Sequence, residues 1–224
     1  MISESQILFI DNHLIAVHKP VGLLVQGDSS GDPSLFEMTK EWLKFKFNKP
    51  GEVYLGLLHR LDRPVSGVVL FARTSKAASR LSLQFREHSI CKIYKAVVHG
   101  KLWPESGKLE HYLRKERSLK ATVFPNPAPD AKRAELSYRT LEILNKASIV
   151  EIELQTGRFH QIRAQLSFSG CPILGDIKYR STVTLPDNGI ALFAHRLEFA
   201  HPVTGETIRI VAKAPQGWPF KVLS

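Results

Sequence analysis

Cysteine is scarce in this chain, and metal-binding spacing is missing altogether. The two cysteines, Cys91 and Cys171, stand alone without a C-x-x-C pair, and the nine histidines fall in no metal-ligand pattern. That excludes a disulfide-stapled fold and a zinc module, and leaves both thiols as reduced core or strand residues. No apolar run approaches the ~20 residues needed to cross a bilayer. The N-terminal Met1-Ile2-Ser3-Glu4-Ser5 has no basic region and no signal-like apolar core. No glycine-rich phosphate loop precedes a helix, so no nucleotide or dinucleotide cofactor is expected. Repeats, heptads and low-complexity tracts are also missing. These absences together predict a cytoplasmic protein that uses no metal or cofactor and no membrane.

Positive charge is abundant. Lys and Arg number 31 against 21 Asp and Glu, a net charge of +10, in a chain of 224 residues with 43% apolar content. That length suits one sizeable core or two small ones. The excess suits a polyanionic partner. It is spread over residues 40–49, 86–95, 101–120 and 132–133, which fits a broad groove better than a disordered arm.

The apolar patterning is rich in strands. Two short runs, 7–10 and 14–17, are separated by Asp11-Asn12-His13 and predict a hairpin. Lys19-Pro20-Val21-Gly22 then turns the chain. Ser34 and Glu37 have capping-box spacing, and Leu35, Met38, Trp42 and Phe45 recur at helical spacing, predicting a helix that ends near Asn48. A buried strand over 68–72, a helix over 75–88 and a strand over 91–98 follow. Residues 101–129 read as the least regular stretch, punctuated by prolines. Its cations Lys108, Arg114, Lys115, Arg117 and Lys120, with Lys132 and Arg133, form either a nucleic-acid track or a solvated surface. Paired strands are expected over 134–144 and 148–154, a helix over 160–169 closed by Gly170, a polar loop over 181–189, and closing strands over 191–199 and 207–211.

The densest chemistry lies in His59-Arg60-Leu61-Asp62-Arg63-Pro64-Val65-Ser66-Gly67. Asp62 stands between two arginines, whose fixed positive charge favours a carboxylate over a carboxylic acid. Such an oxygen beside a buried strand can be a nucleophile. A surface salt bridge is the ordinary alternative. Ser66 has no evident histidine base, and a glycosidase would need two carboxylates where only one stands out.

This nonamer resembles the catalytic signature of the RluA-type pseudouridine synthases, H-R-L-D-x-x-[TS]-S-G. Further likenesses follow the family's order. They are Lys19-Pro20-Val21-Gly22, then Lys92-Ile93-Tyr94-Lys95-Ala96, then Thr156-Gly157-Arg158-Phe159-His160-Gln161-Ile162-Arg163. After these come Pro172-Ile173-Leu174-Gly175-Asp176 and His201-Pro202-Val203-Thr204-Gly205-Glu206. The chain departs from the pattern at Phe159, where the family has a small hydroxyl residue, and at Pro64-Val65. The matches cover nearly the whole chain.

The resemblance implies one α+β domain over residues 1–224, a largely antiparallel mixed sheet flanked by helices with a basic cleft across it, and a hairpin within residues 101–129 that contacts RNA. It implies a cofactor-free isomerisation of uridine to pseudouridine in structured RNA, ribosomal or transfer, by a protein for which a monomer is expected. Asp62 is the implied catalytic carboxylate. Arg163 would pair with it, and Tyr94 would lie against the uracil and relay a proton. Arg60 would take the space left by the flipped uridine. Arg60, His59, Arg158 and His160 make up the candidate substrate-binding set, the two histidines orienting their turns by hydrogen bonds. A non-catalytic RNA-binding protein or RNA chaperone on the same fold is the alternative, and a nucleoside glycosylase a third reading.

Overall fold

The computed structural model describes residues 1–185, 188–215 and 218, so Pro186 and Asp187 of the expected 181–189 loop lie outside the described residues. The chain forms two compact units. Among the described residues, the first comprises 1–90 and 194–213, and the second those of 91–193 together with 214, 215 and 218.

In the first unit, β1 (Ile7–Ile10) and β2 (Leu14–Lys19) form the expected antiparallel hairpin. Asp11 makes its turn, accepting the backbone N–H of His13 and Leu14 at 2.8 and 2.7 Å. Helix α1 (Leu35–Lys46) starts where Ser34 Oγ accepts the N–H of Glu37. A short β3 (Gly56–Leu57) is followed by β4 (Ser66–Ala72), in which all seven residues are buried. Strands between two neighbours and covered on both faces read as unbroken apolar runs, and Val68-Val69-Leu70-Phe71-Ala72 is one. Helix α2 (Ser75–Arg86) is capped by Thr74.

The second unit opens with β5 (Cys91–His99). Residues 101–129, the least regular stretch by composition, hold the hairpin that the resemblance implied: β6 (Ser106–Lys115) and β7 (Ala121–Phe124) pair antiparallel. Half-buried Gly107, Leu109, His111 and buried Leu113 alternate with exposed Lys108 and Glu110. That period of two was masked because charged and aromatic residues occupy most of its positions. Then come β8 (Lys132–Ile143) and β9 (Ala147–Leu154), joined by the three residues Leu144-Asn145-Lys146. The order in this unit is β5-β9-β8-β6-β7, antiparallel throughout. Helix α3 (Gln161–Phe168) packs against β6 and β7.

β10 (Leu192–Ala200) carries the chain back into the first unit from Ala194 on and pairs antiparallel with β11 (Thr207–Val211). The first unit's order is β1-β2-β4-β10, with β3 on β4 and β11 on β10. Helices and largely antiparallel strands agree with the expected α+β fold. Among the described residues no helix is long and apolar enough to cross a membrane.

Candidate active site

Asp62 sits half-buried on the turn that feeds β4. Buried Leu61 and Val65 anchor the turn from below, and the Val65 N–H donates to the Asp62 carbonyl at 3.0 Å. His59 fixes its entry. Its Nε2 accepts the Leu70 N–H at 3.0 Å and its ring stacks on Phe85. Gly67 fixes its exit at φ +121°, where a Cβ would lie 2.2 Å from the Ala194 carbonyl oxygen of β10. Arg60 is exposed.

Arg63, adjacent to Asp62 in sequence, directs its side chain elsewhere. Nε donates to the Gly22 carbonyl at 2.9 Å, and Nη1 meets the Asp32 carboxylate at 2.7 Å. The Gly22 N–H returns a bond to the Arg63 carbonyl at 3.0 Å. Lys19 closes the same joint. Its side chain is fully buried, and Nζ donates to the carbonyls of Pro20, Leu23 and Arg63 at 2.9, 2.8 and 3.1 Å. Burial pulls its proton affinity down to about 7, against the pull of the Asp62 carboxylate and with the help of Arg63.

In the second unit Arg163 is buried on α3. Nε and Nη2 make two bonds to the Asp176 carboxylate, 2.7 and 2.9 Å long. Tyr179 lies under this pair with its ring centroid 5.2 Å from the guanidinium. The Tyr179 hydroxyl accepts the Ala121 N–H of β7 at 2.7 Å and meets His160 Nδ1 at 2.9 Å. His160 precedes α3 in the left-handed region, φ +52°. His160 and Arg163, one turn apart, therefore converge on Tyr179.

Phe159 makes no use of a hydroxyl's hydrogen bonding. Its ring stacks on His160 at 3.8 Å and carries Lys115 Nζ 4.7 Å above its centroid, and it packs on the cluster of Leu113, Ala121, Ala134, Ala164 and Tyr179. Arg158 is half-buried and donates Nε to the Arg133 carbonyl at 2.8 Å. Gln161 takes the Arg158 N–H and the Thr156 hydroxyl on one oxygen and so locks the loop before α3. Tyr94 is half-buried on β5, opposite Ile152 of β9. Of the candidate nucleic-acid track, Arg133 is paired with Glu110 and Glu135, Arg114 with Glu116, and Lys108 with Glu135.

Asp62, His59 and Arg60 thus belong to the first unit, and Tyr94, Arg158, His160 and Arg163 to the second. Sequence reasoning gave no role to Lys19, Asp176 or Tyr179. Lys19 and Asp176 lie within recognised motifs, so the signal was present for both. Among the described residues no cluster of His, Cys, Asp and Glu is arranged to hold a metal ion.

Comparison with known proteins places the chain. The family described as RNA pseudouridylate synthase matches residues 13–168. A tRNA pseudouridine synthase C of Haemophilus ducreyi is 34% identical over 96% of this chain and 93% of its own. A ribosomal large subunit pseudouridine synthase C of Vibrio vulnificus is 32% identical over 96% of this chain and 66% of its own. Among solved structures, human RNA pseudouridylate synthase domain containing 4 aligns with a TM-score of 0.81 and 25% identity, covering 98% of this chain and 92% of that one. The chain belongs to the RNA pseudouridylate synthase family, isomerases that act on RNA.

Proposed function

We propose that this protein isomerises uridine to pseudouridine in structured RNA, ribosomal or transfer, with Asp62 as the catalytic carboxylate. The bond from N1 to C1′ breaks, C5 joins C1′, the C5 proton passes to solvent and N1 takes one up. No water is consumed and no cofactor is used.

The observation that carries this reading is the immobilised Asp62 turn. It is held by His59 on Leu70, by Val65 on Asp62, and by the reciprocal bonds of Arg63 and Gly22. A carboxylate on an over-determined turn is what positioned catalysis needs, whereas a surface salt bridge gains nothing from it. In this reading Arg163 keeps Asp62 charged and aimed, and its Asp176 partner makes its own orientation rigid. Tyr94 lies against the uracil and relays the C5 proton. Exposed Arg60 replaces the flipped base, and His59, His160 and Arg158 hold the substrate-facing loops. The net charge of +10 supports the polyanionic substrate. The basic cleft, the monomeric state, the cytoplasmic location and the working of all 224 residues as one catalytic domain belong to the same reading.

RNA tritiated at uracil C5 tests the reading. The protein is expected to release tritium to water and leave the RNA mass otherwise intact, and Asp62→Asn is expected to release none. Binding without release would favour the RNA-binding alternative. Abasic ribose in the product would favour a glycosylase.

A further inference from the structure

The C-terminal end of α1 presents aromatic rings to solvent between lysines. From Lys44 to Glu52 every residue is exposed. Phe45 is 75% exposed, Phe47 43%, and Tyr54, just beyond, 48%. Phe45 makes no ring contact among the described residues. The backbone fixes this display. Asn48 takes a left-handed φ of +46°, its N–H donates to the Phe45 carbonyl at 3.2 Å, and the Lys49 N–H donates to the Lys44 carbonyl at 3.0 Å. These two bonds close the helix and hold Lys44, Phe45 and Lys49 on one rigid turn. Phe47 is held from the side. The Arg73 guanidinium lies 4.5 Å from its ring centroid, and Trp42 meets it edge-on at 6.5 Å.

The charges divide into two sets. Lys40 pairs with Glu52, Lys46 with Glu4, and Glu41 takes the N-terminal ammonium. Lys44 and Lys49 have no ion-pair partner among the described residues. A single exposed ring is ordinary. A ring flanked by two unpaired ammonium groups has a narrower use. The centre of a protein interface is depleted of lysine, so a protein partner fits poorly. A single strand of RNA fits well, because each nucleotide offers a base face for a ring and a phosphate for an ammonium.

The patch is separate from the Asp62 turn. That turn enters β4, whereas Arg73, which touches Phe47, follows the last residue of β4. Seven residues of strand lie between them, about 20 Å at ~3.3 Å per residue. A nucleotide reacting at Asp62 does not reach that far. We infer that the end of α1 is a second RNA-contacting surface, where Phe45 stacks an unpaired base remote from the reacting uridine and Lys44 and Lys49 neutralise the phosphates beside it. This rests on the reading of RNA as the substrate of the isomerisation.

The test uses deproteinised total RNA from cells lacking this protein, tritiated at uracil C5, and reads KM and kcat for tritium release over a series of salt concentrations. Phe45→Ala is expected to raise KM about 5- to 50-fold with kcat held, the scale of one base stacked on a ring. Phe45→Tyr keeps the ring and is expected to keep the wild-type KM. Phe45→Leu is apolar but has no π face, and is expected to behave as Phe45→Ala does. Lys44→Gln/Lys49→Gln is expected to reduce the slope of log KM against log salt by about 1.4, two phosphate contacts on a single strand. A Phe45→Ala variant with wild-type KM overturns the inference, as does a Phe45→Leu variant that matches the wild type or a lysine pair whose loss leaves the slope unchanged. A dimer in sedimentation that Phe45→Ala dissolves would make the patch a contact between two copies, and overturns it as well. A wild type that releases no tritium sinks the isomerase reading alone. Retention of the same RNA on a filter then reads the same Phe45 and lysine effects and decides for or against the surface.

Discussion

Arg163 and Asp176 face each other through two near-parallel hydrogen bonds, Nε to Oδ2 at 2.7 Å and Nη2 to Oδ1 at 2.9 Å, with both side chains buried. A fork-on-fork pair fixes the guanidinium plane, so the direction of Arg163 is set before any substrate arrives. Removing one partner of a buried pair strands the other's charge. Asp176→Ala is expected to lower stability by about 3–5 kcal/mol, measured by urea unfolding. Asp176→Asn keeps the shape and one acceptor, and is expected to fold while losing most of its turnover. Normal activity in a folded Asp176→Asn would remove Asp176 from the account.

Gly67 approaches β10 too closely to carry a side chain. At φ +121°, a Cβ would meet the Ala194 backbone at 2.2 to 2.8 Å, and a strand backbone cannot step aside. Gly67→Ala is expected to cost at least ~3 kcal/mol of stability, read as a lower denaturation midpoint. An unchanged midpoint would mean that the turn and β10 separate more easily than this packing allows.

Tyr179 joins the β6–β7 hairpin to the loop before α3 by a single hydroxyl. Tyr179→Phe leaves the buried Ala121 N–H without its acceptor, a loss of about 1–3 kcal/mol. Hydrogen exchange at the Ala121 amide is expected to accelerate by more than tenfold, while amides of β2 and β4 stay as they are. Uniform acceleration across the chain would show global rather than local loosening.

Three histidines make the fold sensitive to acid. Burial lowers the proton affinities of His18, His99 and His111 below the ordinary histidine value, with Lys19 adding to the effect at His18. Below pH 6.5 the unfolded chain takes up protons that the folded chain resists, so stability falls as pH drops. Denaturation midpoints at pH 7.5, 6.5 and 5.5 are expected to decrease in that order. A midpoint that holds or rises towards pH 5.5 would contradict the assignment of these three half-buried rings as groups that resist protonation.

What could be read from the sequence was what neighbours in sequence determine. Strand β4 announced itself because burial on both faces demands an unbroken apolar run, and α1 because Ser34 and Glu37 mark its start. The β6–β7 hairpin was legible only through the resemblance, because its strands are held by pairing rather than by composition. The Arg163–Asp176 pair joins residues of two separate motifs, and although each motif was recognised, nothing in either one shows that the two side chains meet. Lys19 was given no role for a different reason. A lysine normally indicates solvent, and only the three converging carbonyls make a buried one affordable. Phe159 departed from the family pattern, and its role became visible only with Lys115 and His160 against its ring.

The most direct measurement is a map of pseudouridine positions in total RNA from cells lacking this protein, complemented with the wild type or with Asp62→Ala. The account predicts that one or a few positions disappear on deletion, return with the wild type and stay absent with Asp62→Ala. A map unchanged by deletion, or restored by Asp62→Ala, would contradict it.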